Sequence, residues 1–299
     1  MLFAVAVGIL WSFTGIFYQK INSCKLDIYR VWISCALISI LFAVLSGITD
    51  LPGLCSGRIP LPPAGYIIFF LCAGTLNLSG SLTMFHALRR GNPGTAWAIG
   101  QSALIVPLIA LAIWYKEPLP THNLIGITLI IAGIAAMAGD KKNGENPTQR
   151  AGIYLAILAF CITGSAGTMV ASSGYFTYND CGNLRTVLTL SGYALSALIW
   201  KVAARDFNFK LSKAALKIIA LMSLSTCAGL FLQFKALDHL AARQSGGIFF
   251  PLAIGVCIAG FTLYTIVIKH ERYSKCATAG LAAVICGIIA ISNVIKLLF

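Results

Sequence analysis

Three amide side chains, Asn77, Gln101 and Gln233, stand deep inside long apolar runs, where hydrocarbon gives an uncommitted donor or acceptor nothing to bind. His86, Lys235 and Gln244 lie nearer the ends of such runs. An amide in that setting can read both donors and acceptors of a solute. An imidazole, with its ordinary pKa of about 6.5, can sense protons. Each also has a quieter role, His86 as a hydrogen-bonded packing residue and Lys235 as a side chain that snorkels to the headgroups. Trp11, Tyr18, Trp97 and Tyr264 offer rings that suit a flat or amphipathic solute, and membrane-interface belts are the other home of Trp and Tyr.

Acidic chemistry is missing from the same places. All nine acidic residues lie in joins or at the ends of apolar runs. A cation held in a lipid-shielded cavity would lack a partner charge, while Lys235 and His86 could accommodate an anionic or zwitterionic solute. No H-E-x-x-H, G-x-S-x-G or G-x-x-x-x-G-K-[ST] occurs. No enzyme activity, catalytic residue, metal site or cofactor is therefore expected, and ATP-driven transport has no P-loop within this chain.

The elements that must position these groups follow from composition. The 299 residues are 58% hydrophobic and 10% charged, with a mean hydropathy of +0.86. A soluble domain carries roughly 25% charged residues, so this chain could not cover a water-facing surface. Apolar runs long enough to cross a bilayer and the breakers between them predict ten spans. These are roughly 2–19, 31–48, 64–88, 94–115, 122–139, 151–172, 183–201, 212–236, 244–268 and 275–296. The N-terminal run lacks a charged leader and reads as a retained first span. The formal charge of +13 sits in short clusters between runs, a topology signal rather than a nucleic-acid surface. Most of the ten cysteines lie inside runs without any C-x-x-C pair and read as small apolar residues.

The chain also repeats itself. Glu117, Gly126 and Gly133 match Glu271, Gly280 and Gly287 at an offset of 154. Phe85–Leu88 matches Phe234–Leu237, and Thr14–Gly15 matches Thr163–Gly164, at 149. Arg30 and Arg185, opening the second and seventh spans, are 155 apart. One repeat with small insertions explains all three offsets. It gives residues 1–140 as a first five-helix unit, 141–150 as a polar linker and 151–299 as a second unit. Five is odd, so the second unit enters the bilayer from the opposite side. The expected architecture is an all-α membrane protein of ten transmembrane helices in two inverted repeats, an arrangement suited to alternating access.

Sixteen of the 22 Lys and Arg residues fall in alternate joins, which places those joins in the cytoplasm and both termini outside. Only one of Arg30 and Arg185 can then obey the positive-inside rule, so a role in gating or in ordering the neighbouring loop fits both. Glu117 and Glu271, expected at the starts of spans five and ten, read as capping or packing groups favoured by a helix N-terminus, with solute contact as the other reading. The glycines, seven apart, share one helix face and suit close helix packing in lipid.

Taken together these residues resemble the ten-span, EamA-like members of the drug/metabolite transporter superfamily, over essentially the whole chain. The paired glutamates, the glycines after them and the paired arginines carry the likeness. "LWSFTG" (Leu10–Gly15) is similar to the family's first-span Trp-Gly signature, with Ser12 where glycine is common. "FHAL" and "FKAL" are similar to an aromatic "YAL" ending, with His86 and Lys235 in place of tyrosine. The resemblance implies a central cavity lined by spans 1, 3, 4, 6, 8 and 9, and peripheral fifth and tenth spans open to a homodimer contact. The buried glutamate by which small multidrug-resistance relatives couple protons to drug export has no counterpart here. The expected function is secondary transport of small polar or amphipathic metabolites across a bacterial cytoplasmic membrane, the cargo being anionic or zwitterionic, with a solute exchanger as a variant. A membrane scaffold or solute sensor is the reading from another class. The expected partners are a small solute and the lipid bilayer, without nucleic acid.

Overall fold

In the computed structural model, which describes residues 2–47, 62–118, 120–138, 147–176, 184–205, 213–243, 246–270 and 274–292, every regular element is a helix. α1 covers Leu2–Ser23, α2 Ile28–Ser46 and α3 Ala64–Arg90. α4 (Pro93–Gln101) and α5 (Ile105–Trp114) form one span, broken by a 3-10 turn at Ser102–Leu104. α6 (Thr121–Ala138), α7 (Pro147–Ser172), α8 (Leu184–Ala203), α9 (Lys213–Ala241), α10 (Phe249–Val267) and α11 (Lys275–Ser292) follow. Eight stretches, with α4 and α5 taken as one, are long and apolar enough to cross a bilayer, and α6 and α11 are shorter apolar helices. The chain is an all-α membrane protein of ten helical spans.

Local chemistry fixes the boundaries. Asp27 caps α2 by accepting from the Tyr29 backbone N–H at 2.9 Å, and Asn92 caps α4 by accepting from that of Thr95 at 3.1 Å, with Pro93 in the first turn. The break in the fourth span has a cause in sequence. Pro107 has no N–H to offer the Ala103 carbonyl and its ring crowds that group, so the turn before it tightens to 3-10 geometry and leaves Gln101 at the break. Lys116 and His270, matched at the offset of 154, both adopt a left-handed conformation, with φ of 55° and 51°. Such backbone is uncommon for residues other than glycine, and here it recurs at equivalent points.

Packing follows small residues. α6 and α11 run antiparallel, and the four repeat glycines meet in crossed pairs, Gly126 on Gly287 and Gly133 on Gly280. A methyl group on Gly133 would lie 2.5 Å from the Gly280 carbonyl oxygen, and one on Gly280 2.7 Å from that of Gly133. Backbones this close leave no room for a Cβ, the use small residues serve in lipid. α3 and α8 meet at Gly74 and Gly192 in the same manner. Ser12 faces Gly260 on α10, where a Cβ would come within 3.0 Å of it, so the missing glycine of α1 is offset by one on its neighbour.

The contact pattern is itself paired. α1 packs on α9 and α10, and α7 packs on α3 and on α4–α5. α3 packs on α8, and α9 on α2. Under the repeat offset each of these contacts is the image of the other. Apolar side chains such as Leu41, Ile113 and Leu198 face outward, where a soluble protein would be polar.

Candidate binding cavity

A cavity with about 880 Å³ of empty space, its mouth included, lies between helices of both halves. Helical spacing supplies its walls. Trp11, Thr14 and Tyr18 share a face of α1; Asn77, Ser81 and Met84 share one of α3; Thr226, Leu230 and Gln233 share one of α9. Trp97 and Gln101 of α4 complete the first half's wall beside the helix break, and Thr163, Gly167 and Val170 of α7 stand in the second's. Among the described residues, none that lines the cavity carries a charge. Six of the nine side chains singled out as cavity candidates are brought together here: Trp11, Tyr18, Asn77, Trp97, Gln101 and Gln233.

The other three stand elsewhere. His86 sits one residue past the buried Phe85, so its ring turns away from the face that carries Met84, and its Nε2 meets Tyr29 Oη at 3.1 Å. Lys235, one past the buried Phe234, is exposed, with Nζ 4.3 Å from the centre of the Phe231 ring. Tyr264 is half-buried on α10, near Phe261. α10 supplies no lining residue, although the resemblance implied one, because Phe261 packs under Trp97 with ring centres 4.9 Å apart and fills the space between. Trp32 of α2 and Tyr193 of α8 line the cavity instead.

A signal in the sequence could have found more of the wall. Five pairs of lining residues are related by the 149 offset: Thr14 with Thr163, Tyr18 with Gly167, Asn77 with Thr226, Ser81 with Leu230, and Met84 with Gln233. Projecting the amides of one half onto the other would have named Thr226 and Met84. Trp32 and Tyr193 obey no such pairing, and nothing local separates them from interfacial aromatics.

Polar contacts between the halves close both ends of the bundle. At one end Glu117 is 8% exposed, and its Oε1 and Oε2 accept from the Gly246 and Gly247 backbone N–H groups, each at 3.0 Å. Tyr175 Oη donates to the same carboxylate. The carboxylate thus stands at the N-terminal end of the turn that opens α10, where backbone N–H groups and the helix dipole favour an anion. This corrects the expectation that Glu117 begins its own span. α6 starts at Thr121, and the group Glu117 caps belongs to the opposite half. Burial lifts its pKa above the ordinary carboxylate value, against the pull of the Gly247 and Gly246 N–H groups. Glu271 and Gln244 lie outside the described residues. At the same end Arg185 holds Asp238 through both guanidinium nitrogens, Nη1 to Oδ1 at 2.7 Å and Nη2 to Oδ2, and rests on the Phe234 ring.

At the opposite end Asp27 Oδ2 receives Arg30 Nε at 2.7 Å and Lys201 Nζ at 3.0 Å. Lys201, 1% exposed, closes α8 some 16 residues beyond Arg185, roughly 24 Å along the helix at 1.5 Å per residue. Trp200 stacks on Tyr29 at 7°. The paired arginines therefore serve opposite ends, each with a carboxylate partner. None of the eight described cysteines forms a disulfide, and no group of metal-binding side chains occurs among the described residues.

The architecture is one already seen in solved structures. A crystal structure of another protein superposes with a TM-score of 0.63, covering 99% of this chain and 97% of its own, at 16% identity. That likeness shows the fold alone. No curated protein matches the chain. Residues 1–139 match the EamA-like transporter family. The family model thus covers just under half of the chain, and through it the first half is similar to the EamA-like transporters of the drug/metabolite transporter superfamily, a family of membrane transporters.

Proposed function

We propose that the chain is a secondary carrier of small polar or amphipathic solutes, working by alternating access between residues 1–140 and 151–299 as inverted five-helix units. The observation that carries this reading is a cavity whose wall is divided between the two halves, with bonds between those halves at both of its ends. The antiparallel pairing of α6 with α11 supports the inversion. A solute held beside Gln101 and Gln233 would sit at the pivot. Rocking the halves one way must part Glu117 from Gly246 and Gly247, and the other way must part Lys201 from Asp27. Both contacts are polar and of modest net strength in water, so wetting either end can replace them.

In this reading the chain lies in a bacterial cytoplasmic membrane, with the Glu117 end and both termini outside and the Asp27 end facing the cytoplasm. A homodimer would use the outward faces of α6 and α11, where Leu124, Ile125 and Ile131 are exposed, since their glycine faces are already joined within one chain. With Lys235 and His86 away from the cavity, the charges that argued for an anionic cargo do not bear on it. Purified protein in proteoliposomes should give saturable, competitor-sensitive flux of a bound solute. Binding without flux would end the carrier reading and favour a sensor. Labelling of single cysteines placed beside Glu117 and Glu271 from one and the same side would end the inversion.

A further inference from the structure

The polar atoms of the cavity wall fall into two groups. Tyr18 Oη, Trp32 Nε1 and Trp97 Nε1 are sealed within it, with Ser81 and Trp32 beside the first and Cys257 beside the last. Gln233 and Tyr193 differ. Only 4% and 6% exposed, they line the cavity and hydrogen-bond no other described residue, and their amide and hydroxyl atoms are not shut off from it. Asn77 and Gln101, less deeply buried, are equally uncommitted. With Thr14 and Thr163 they give one polar side chain from each of α1, α3, α4, α7, α8 and α9, so polar groups surround the cavity rather than meeting on one edge. All six are amides or hydroxyls, which both give and accept hydrogen bonds. Buried groups of this kind are met by a partner or by water. A solute that displaces such water keeps its affinity only by reproducing the water's bonds.

We infer that the cavity takes an uncharged polyhydroxyl solute, of the class of monosaccharides and cyclic polyols. The inference rests on the carrier reading, which makes the cavity the solute's site. A hydroxyl gives and accepts at one atom, as water does, and a sugar ring carries hydroxyls around its whole perimeter. That perimeter matches polar groups set on six helices. A flat ring with a single polar edge would leave most of them unmet, at a cost for each. Trp11, half-buried on the wall, offers ring surface to the C–H face of such a solute. Charge narrows the class further. No described residue lining the cavity is charged, and Glu117, Lys201 and Arg185 already hold partners at the two ends of the bundle. An anion, a cation or a zwitterion would therefore enter without a countercharge, and a bare charge is expensive to bury.

Hexoses in three charge states test this: glucose, galactose and mannose, each beside its 2-amino and its uronate form, titrated calorimetrically into the purified full-length protein. At least one neutral hexose should bind, and at least about 10-fold more tightly than either of its charged forms. Gln233→Leu, which removes the amide, should weaken that hexose about 3- to 10-fold, the worth of one neutral hydrogen bond. It should not lower the melting temperature of the empty protein, since no bond within the protein is lost. Tyr193→Phe should behave alike and serves if Gln233→Leu does not fold. A charged form that binds as well as its neutral parent, no binding of any neutral hexose at millimolar concentration, or unchanged hexose affinity in both variants would overturn the inference. The flux experiment keeps the two claims apart. A hexose that binds without crossing proteoliposomes defeats the carrier and leaves the ligand class standing, whereas saturable flux of a charged form, indifferent to Gln233→Leu, does the reverse.

Discussion

The two halves of the chain follow one path and offer different chemistry. At equivalent positions the first half sets Tyr18 where the second has Gly167, and Asn77 and Ser81 where the second has Thr226 and Leu230. All three cavity tryptophans, Trp11, Trp32 and Trp97, belong to the first half. The ends diverge as well. Arg185 holds Asp238, but at the offset of 149 the residue matching Asp238 is Arg89, so Arg30 turns to Asp27 in its own N-cap. A rocking mechanism asks only that the two backbones be alike. A solute without two-fold symmetry asks that the walls be unlike. The seam glycines answer the first demand and the cavity the second.

The seam should therefore break hardest, and equally from either side. Gly133→Ala and Gly280→Ala each drive a methyl against a carbonyl oxygen that cannot move away without shifting a helix. Each should cost roughly 2–4 kcal/mol, read as a large fall in melting temperature in detergent. A fall for one and tolerance for its mate would show that the seam is not shared symmetrically. The next largest effect should fall on flux rather than on stability. Gly167→Phe places in the second wall a ring like the one Tyr18 gives the first, and it should lower solute flux more than about 10-fold by filling the cavity while the protein stays folded. Undiminished flux would mean that the solute passes elsewhere.

How much of this was legible in the sequence depends on whether the deciding contact is local. Span number, the glycine faces and the amides inside apolar runs are properties of a single helix, and period and hydropathy reveal them. The break in the fourth span was legible in principle, since Pro107 alone accounts for it. What stayed hidden was orientation. His86 and Lys235 lie one residue off the cavity faces of their helices, and a polar residue near a span end does not say which neighbour its face will meet. Glu117 was legible as an anion suited to a helix N-terminus, but the helix it serves is about 130 residues away in sequence. Trp32 and Tyr193 reach the cavity only through the pairing of α2 with α8, which no local pattern announces.

Smaller effects test the two ends. Arg185→Ala should cost roughly 1–2 kcal/mol, since it strands a carboxylate that took both guanidinium nitrogens. Arg30→Ala should cost less, about 0.5–1 kcal/mol, because Asp27 keeps Lys201. Thermal unfolding of both variants beside Asp238→Ala and Asp27→Ala would measure the pairs. Equal losses for the two arginines would erase the asymmetry between the ends. Arg89→Asp sharpens the comparison, since it gives the first half the carboxylate that its mate position holds. It should slow flux several-fold by tightening an end that must open.

The smallest effect belongs to Glu117, and its sign is fixed by the balance around the carboxylate. Burial raises its folded-state pKa above the ordinary value of 4.5, against the N–H groups of Gly247 and Gly246, so the folded chain holds this proton more firmly than the unfolded one. Its contribution to stability is complete below the unfolded value and is lost as pH rises through the folded one. Glu117→Gln keeps an acceptor and removes the titration. The melting temperature of the wild type, minus that of this variant, should therefore decline as pH rises from about 4.5 towards neutrality. A difference that grows instead would mean that the two N–H donors and the helix dipole outweigh burial, making the anionic clamp the tighter one. The same difference measured for Glu271→Gln asks whether the repeat's second glutamate is equally buried: matching slopes would make the clamps equivalent, and a flat line for one would add a further asymmetry to those of the walls.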